Sequence, residues 1–181
     1  MSEIEKSKTN NRLHGSLPPM FAENFRDNGP EWRKLSEVDF EGIGRVLACH
    51  LILEHYLVKF IELQTPVEFD WDESKMTFAQ KIKLVRRSAP LVENDFIKGI
   101  EVINRIRNKY SHNLLVTIAE TDISTLQAII SAFRKSTKSP NQKNLDDVDN
   151  IIVIETFTSL VCAFIAGYCS FIVMHEKKTK C

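Results

Sequence analysis

The stretch VENDFIKGIEVINRIRNKYSHN, residues 92–113, places Phe96, Ile97, Ile100, Ile103 and Ile106 at spacings of three and four. That period predicts a helix with one apolar face, and Asn94 stands where an N-cap would accept from early helical N–H groups. Its polar end, RIRNKYSH, holds Arg107, Asn108 and His112 within about one and a half turns. Asn108 and His112 are i and i+4 and share a face, with Arg107 adjacent to Asn108.

Helical periods continue on both sides. Upstream, Ser36-Glu37-Val38-Asp39 has the form of a capping box, predicting a helix from there to about Leu63. Ile43, Val46, Leu47, Leu51, Ile52, Leu53, Tyr56, Leu57, Phe60 and Ile61 make it apolar nearly all round, as suits a bundle centre or a subunit interface. Pro66 ends it, and the acidic segment 68–73 reads as a loop. A shorter helix is expected from Thr77, with Phe78, Ile82 and Val85 on one stripe, stopping before Pro90. Downstream, Thr121 is a candidate cap for a helix over Ile123, Leu126, Ile129, Ile130 and Phe133. The linker STKSPNQKNLDD, residues 136–147, has a composition that predicts no core.

The last helix is expected over residues 147–178. Its segment TFTSLVCAFIAGYCSFIVM, residues 156–174, lacks a formal charge over a length near that of a bilayer crossing. Glu155, the hydroxyls of Thr156, Thr158 and Ser159, and the wide apolar faces of the other helices favour a central bundle helix over a spanning one. Residues 1–33, punctuated by Gly15, Pro18, Pro19, Gly29 and Pro30, read as a polar surface arm from which Met20, Phe21, Phe25 and Trp32 could dock. The expected organisation is therefore the arm, 1–33, followed by one all-α domain, 34–181, a helical bundle of about five helices.

Composition narrows the function. The 181 residues carry 24 Lys plus Arg against 24 Asp plus Glu, with 43% hydrophobic residues. That is a globular balance, and it disfavours a polybasic coat on nucleic acid. The charge is segregated: residues 77–113 hold eight basic and three acidic residues, residues 36–73 two basic and nine acidic. A basic edge can steer an RNA backbone, but such segregation equally solvates two faces or pairs subunits. Residues 1–15 contain no apolar run of the signal-peptide kind, so a cytoplasmic location is expected. Cys49, Cys162, Cys169 and Cys181 form no CxxC pair and have no His partners at zinc spacing; no metal or cofactor is expected, and Cys162 and Cys169 read as small packing residues.

The chemistry-bearing candidates are Arg107, Asn108 and His112. An imidazole with a pKa near 6.5 moves protons at neutral pH, and a guanidinium holds a phosphate in two bonds; together they suit phosphodiester cleavage. His50 and Glu54, an i and i+4 pair on an apolar stripe, read as a buried hydrogen-bonded pair or as a shell orienting Arg107 or His112. Arg105, Lys109, Tyr110 and Ser111 are candidate RNA contacts beside the string. The alternative is that Arg107 and His112 cap the helix, where cations favour exposed carbonyls.

This R-x4-H string, with Asn directly after the Arg on a long helix, resembles the HEPN superfamily of small helical bundles. The layout GRVLACHLILEHYLVKFIE, then MTFAQKIKLVRR, then residues 92–113 is similar to the mannitol-operon-repressor-like branch, over roughly residues 36–115. The resemblance implies a homodimer with Arg and His from both subunits at a shared cleft, and a metal-independent endoribonuclease, often a toxin or defence effector. On that reading His112 is the general acid/base at the ribose 2′-OH, Arg107 stabilises phosphate charge, Asn108 orients the pair, and the product is a cyclic phosphate. An antitoxin or other regulatory protein is the implied partner. The adenylylated Tyr of one toxin subgroup would fall on Leu114, so that control is not expected. Other members are non-catalytic regulators, and that alternative stands beside the nuclease.

Overall fold

The computed structural model describes residues 20–26, 29–65, 76–86, 89–137, 145 and 148–179. The chain divides into two compact units at Asp39/Phe40. The first holds an antiparallel hairpin, β1 (Met20–Arg26) and β2 (Gly29–Lys34), paired from Met20 with Lys34 to Arg26 with Gly29 and irregular between Ala22 and Asn24. Gly29 has φ 103°, a conformation that favours a residue without Cβ. The stretch read as a polar arm thus contains a β-ribbon. Pro30 is compatible with it because a two-stranded ribbon leaves each strand one unpaired edge. Trp32 stays exposed.

The second unit is an all-α bundle of five helices and one extra turn: α1 (Phe40–Gln64), α2 (Phe78–Val85), α3 (Ala89–Val92), α4 (Phe96–His112), α5 (Glu120–Ser136) and α6 (Asn150–Thr179). α1 packs on α6, α4 and α2, and α5 on α4 and α6. The buried stripes meet around Leu53, Leu57 and Phe60 of α1, Ile100, Ile103 and Ile106 of α4, Leu126 and Ile130 of α5, and Ile154, Phe157 and Val161 of α6. Phe96 stands among Phe133, Phe157 and Phe164, at centroid distances of 5.3, 6.5 and 5.0 Å. Gly99 is required here: a Cβ on it would run into the Phe157 ring.

Helix bodies follow the apolar periods; several starts do not follow the expected caps. The helix expected from Thr77 starts there, and the structure adds a capping box, with Gln80 N donating to Thr77 Oγ1 and Thr77 N to Gln80 Oε1. Residues 35–37 instead form a 3₁₀ turn and α1 begins at Phe40. Asn94 does not cap α4: its Nδ2 donates to Pro90 O, and the cap position is Asp95, at φ 55°. Thr121 lies inside the first turn of α5, whose cap position is Ala119. Glu120 and Asp122 supply the favourable negative charge at that end.

Most of the linker 136–147 and the acidic loop 68–73 lie outside the described residues. Leu145 is an exception to the expectation of a core-free linker. It is buried, and Gln127 Nε2 donates to its carbonyl at 2.7 Å. α6 has two environments. Through Ile165 one of its faces is in the core, whereas Ala166, Gly167, Ser170, Phe171, Val173 and Met174 are exposed. Residues Asn150–His175 form a helix long and apolar enough to cross a membrane, by length and composition alone, and 28% of its most apolar window is buried.

Candidate functional site

The C-terminal half of α4 divides its polar residues between three directions. Outward, Glu101, Asn104, Asn108 and His112 follow one another at spacings of three and four. With Arg105, Lys109, Asn113 and Val116 they line an open groove of about 530 Å³. The chain leaves the helix at Asn113, whose N–H donates to Lys109 O and whose Oδ1 accepts from Leu115 N. That turn leaves His112 exposed at the rim. Among the described residues no side chain is hydrogen bonded to its imidazole.

Toward α5, Arg105 and Lys109 converge on Asp122. Arg105 donates through Nε at 3.0 Å and Nη2 at 2.5 Å to Oδ1, and Lys109 Nζ donates at 3.0 Å to Oδ2. The Asp122 side chain is only 4% exposed. Burial alone would push its carboxyl up, but the hydrogen bonds and charges of Arg105 and Lys109 outweigh this and hold it below the usual carboxylate range. Two of the expected RNA-contacting cations are therefore bound to a carboxylate across the helix pair. Asp122 escaped the sequence reading, although an acid four residues before Leu126, on the apolar stripe of α5, was its available signal.

Toward α1 and α2 lies Arg107, which is absent from the groove lining. Its Nη1 donates to Asn108 Oδ1 at 3.1 Å, and it carries no carboxylate partner among the described residues. Asn108 thus stands between Arg107 and His112. Five residues apart, those two point about 140° from each other around the helix, so one copy of the chain does not converge them. Tyr110 is buried in the core rather than presented to a ligand, and Ser111 Oγ donates to Asn108 O.

His50 and Glu54 are not the hydrogen-bonded pair that their spacing suggested. Glu54 Oε1 accepts from Lys81 Nζ at 2.7 Å, tying α1 to α2. The His50 ring is 6% exposed and lies 4.1 Å from the Phe78 ring centroid, with Nε2 buried and unpartnered. Burial pushes its pKa below the ordinary 6.5. The charges of Arg107 and Lys81 act in the same direction, against Glu54 and the Asn104 side chain. A neutral imidazole therefore flanks Arg107.

A second cavity, about 520 Å³, lies between the start of α4 and α5, lined by Glu93, Asn94, Asp95, Lys98, Ala128 and Phe133 among others. Ser124 and Thr125 donate to Thr121 O on their own helix. Cys49 and Cys162 are buried free thiols; burial raises both, Cys162 to about 11. Among the described residues no group of three or more His, Cys, Asp or Glu is placed to hold a metal ion. No family model, no curated protein and no solved structure matches the chain.

Proposed function

We propose that the chain is a HEPN-type, metal-independent endoribonuclease acting as a homodimer. The observation that carries this reading is the Arg107–Asn108–His112 arrangement: an exposed imidazole on an open groove, an arginine without a carboxylate partner among the described residues, and an Asn between them. His112 takes the proton from a ribose 2′-OH, whose oxygen attacks the adjacent phosphorus. The Arg107 guanidinium stabilises the charge that develops on the phosphate oxygens, and the 5′-oxygen leaves with the proton that His112 took, returned by its imidazolium, as the 2′,3′-cyclic phosphate closes. Because the two side chains diverge within one copy, the reading requires Arg107 and His112 from different copies to meet at the substrate.

One observation favours the alternative of a non-catalytic regulator on the same fold, working through a protein or nucleic-acid partner. Arg105 and Lys109 are engaged by Asp122, so the groove offers little free positive charge to a phosphate backbone. Incubation of purified protein with RNA in the presence of a chelator separates the readings. Cleavage leaving cyclic phosphate ends, abolished by His112→Ala and by Arg107→Ala, is the expected result. Equal RNA integrity with wild type and both variants removes the catalytic reading.

A further inference from the structure

The outward groove of α4 is poor in free cations and rich in amides. Arg105 and Lys109 are drawn to Asp122, which leaves Glu101, Asn104, Asn108, His112 and Asn113 as its polar groups, beside half-buried Val116. All three amides have their carbonyls engaged. Asn108 Oδ1 accepts from Arg107 Nη1, and Asn113 Oδ1 from Leu115 N. Asn104 hydrogen bonds to the buried His50 ring in the sense that favours the imidazolium, so its carbonyl is the acceptor. Their Nδ2 amino groups remain as donors, and among the described residues none has a partner. Glu101 supplies the opposite polarity. Arg86 Nη2 donates to its Oε1 at 2.6 Å and holds the carboxylate in place, with Oε2 left to accept.

We infer that this groove binds a guanine base, that of the nucleotide whose 2′-OH lies at His112, and that Glu101 and Asn104 select it. The inference rests on the nuclease reading and adds a substrate preference to it. A phosphate backbone calls for cations, whereas a base edge calls for neutral donors, an acceptor and an apolar wall. Along α4, Asn104 precedes His112 by eight residues, about 12 Å, and Glu101 by eleven, about 16 Å. With the ribose at His112, a base laid toward the start of the helix brings the far edge of a purine to these two side chains. A pyrimidine ends short of them. Guanine carries two adjacent N–H donors, at N1 and N2, beside the O6 acceptor. The Glu101 carboxylate accepts from the two donors, since each of its oxygens has two lone pairs and the Arg86 bond takes only one. Asn104 Nδ2 donates to O6. Adenine presents one amino donor and no carbonyl on that edge, so it fills fewer of these bonds.

Cleavage of a mixed-sequence RNA by the full chain, with every cut position mapped, tests it. Cyclic phosphate ends should fall on G over A by about tenfold to a hundredfold, and Glu101→Gln and Asn104→Ala should each bring that ratio toward one. A substitution that only weakened the fold would slow cuts after all four bases alike and leave the ratio in place. Equal cutting after every base overturns the inference, as does a preference for another base or a guanine preference that survives both substitutions. If no RNA is cut, the nuclease reading fails separately, and the base site is judged by binding of 2′-deoxy oligonucleotides, which lack the attacking hydroxyl. A hold on G about tenfold tighter than on A, removed by Glu101→Gln, upholds the site; equal affinity for the two overturns it.

Discussion

Asn108 accepts a hydrogen bond from the Arg107 guanidinium at 3.1 Å while sharing a helical face with His112, so one amide links two side chains that point apart. If the nuclease reading holds, Asn108→Ala leaves Arg107 free to reorient. Cleavage should then fall less than with His112→Ala, for which a loss on the order of 10²–10⁴ is expected from removal of a general acid/base. Single-turnover cleavage of a short RNA by the three variants checks this. Thermal melts should be nearly unchanged for His112→Ala, because the side chain is exposed and has no hydrogen-bond partner among the described residues.

Asp122 joins α5 to α4 through two cations. Asp122→Asn should destabilise by about 1–3 kcal/mol, tempered because Arg105 and Lys109 are exposed enough to recover water. The folded carboxyl titrates below its unfolded value, so its contribution is full above about pH 4 and is lost as pH falls through the folded pKa. Urea unfolding of wild type and Asp122→Asn between pH 7 and pH 3 should show the two curves converging at the acid end.

His50 carries the opposite chemistry with the same direction in pH. Its folded pKa lies below 6.5, so the unfolded chain binds a proton first; stability is full above about pH 6.5 and declines as the solution is acidified toward the folded pKa. His50→Gln should flatten urea-midpoint dependence between pH 7.5 and pH 5. A proton NMR titration offers an independent check: His50 should remain neutral at a pH where an ordinary imidazole is half protonated.

Gly99 permits the closest approach in the core. Gly99→Ala should cost about 1–3 kcal/mol by overpacking against the Phe157 ring, and Phe157→Leu in the same chain should recover part of it. Calorimetric melting of the two single variants and the double variant measures the recovery as a coupling energy.

Helix bodies were legible because periodicity reports burial directly: Phe96, Ile100, Ile103 and Ile106 recur at the period of the face they bury. The start near Thr77 was legible from the stripe Phe78, Ile82 and Val85, although the capping box between Thr77 and Gln80 that fixes it was not read. The other starts were not, since Asn94 is drawn off by Pro90 O and that bond depends on the path of α3. Long-range polar pairing is equally silent in a sequence. Glu54 turns to Lys81, not to His50, and Arg105 and Lys109 find Asp122, because α2 and α5 bring those partners from other parts of the chain. The hairpin was hidden by Gly29 and Pro30, residues that punctuate loops as readily as they bound short strands.

The packing of α1 on α6 also bears on how the chain is made. Arg45 donates to Glu155, 110 residues further on, so the inward stripe of the first helix waits for the last one to be synthesised. Until then α1 can engage α2 and α4 only, and Cys49 and Phe60 lack their eventual neighbours. Closing so long a segment is slow relative to forming the local helices, and the waiting intermediate exposes apolar surface. A nascent chain halted before α6 should therefore be a client of chaperones, and a permuted chain with α6 placed directly before α1 should fold faster than the natural order.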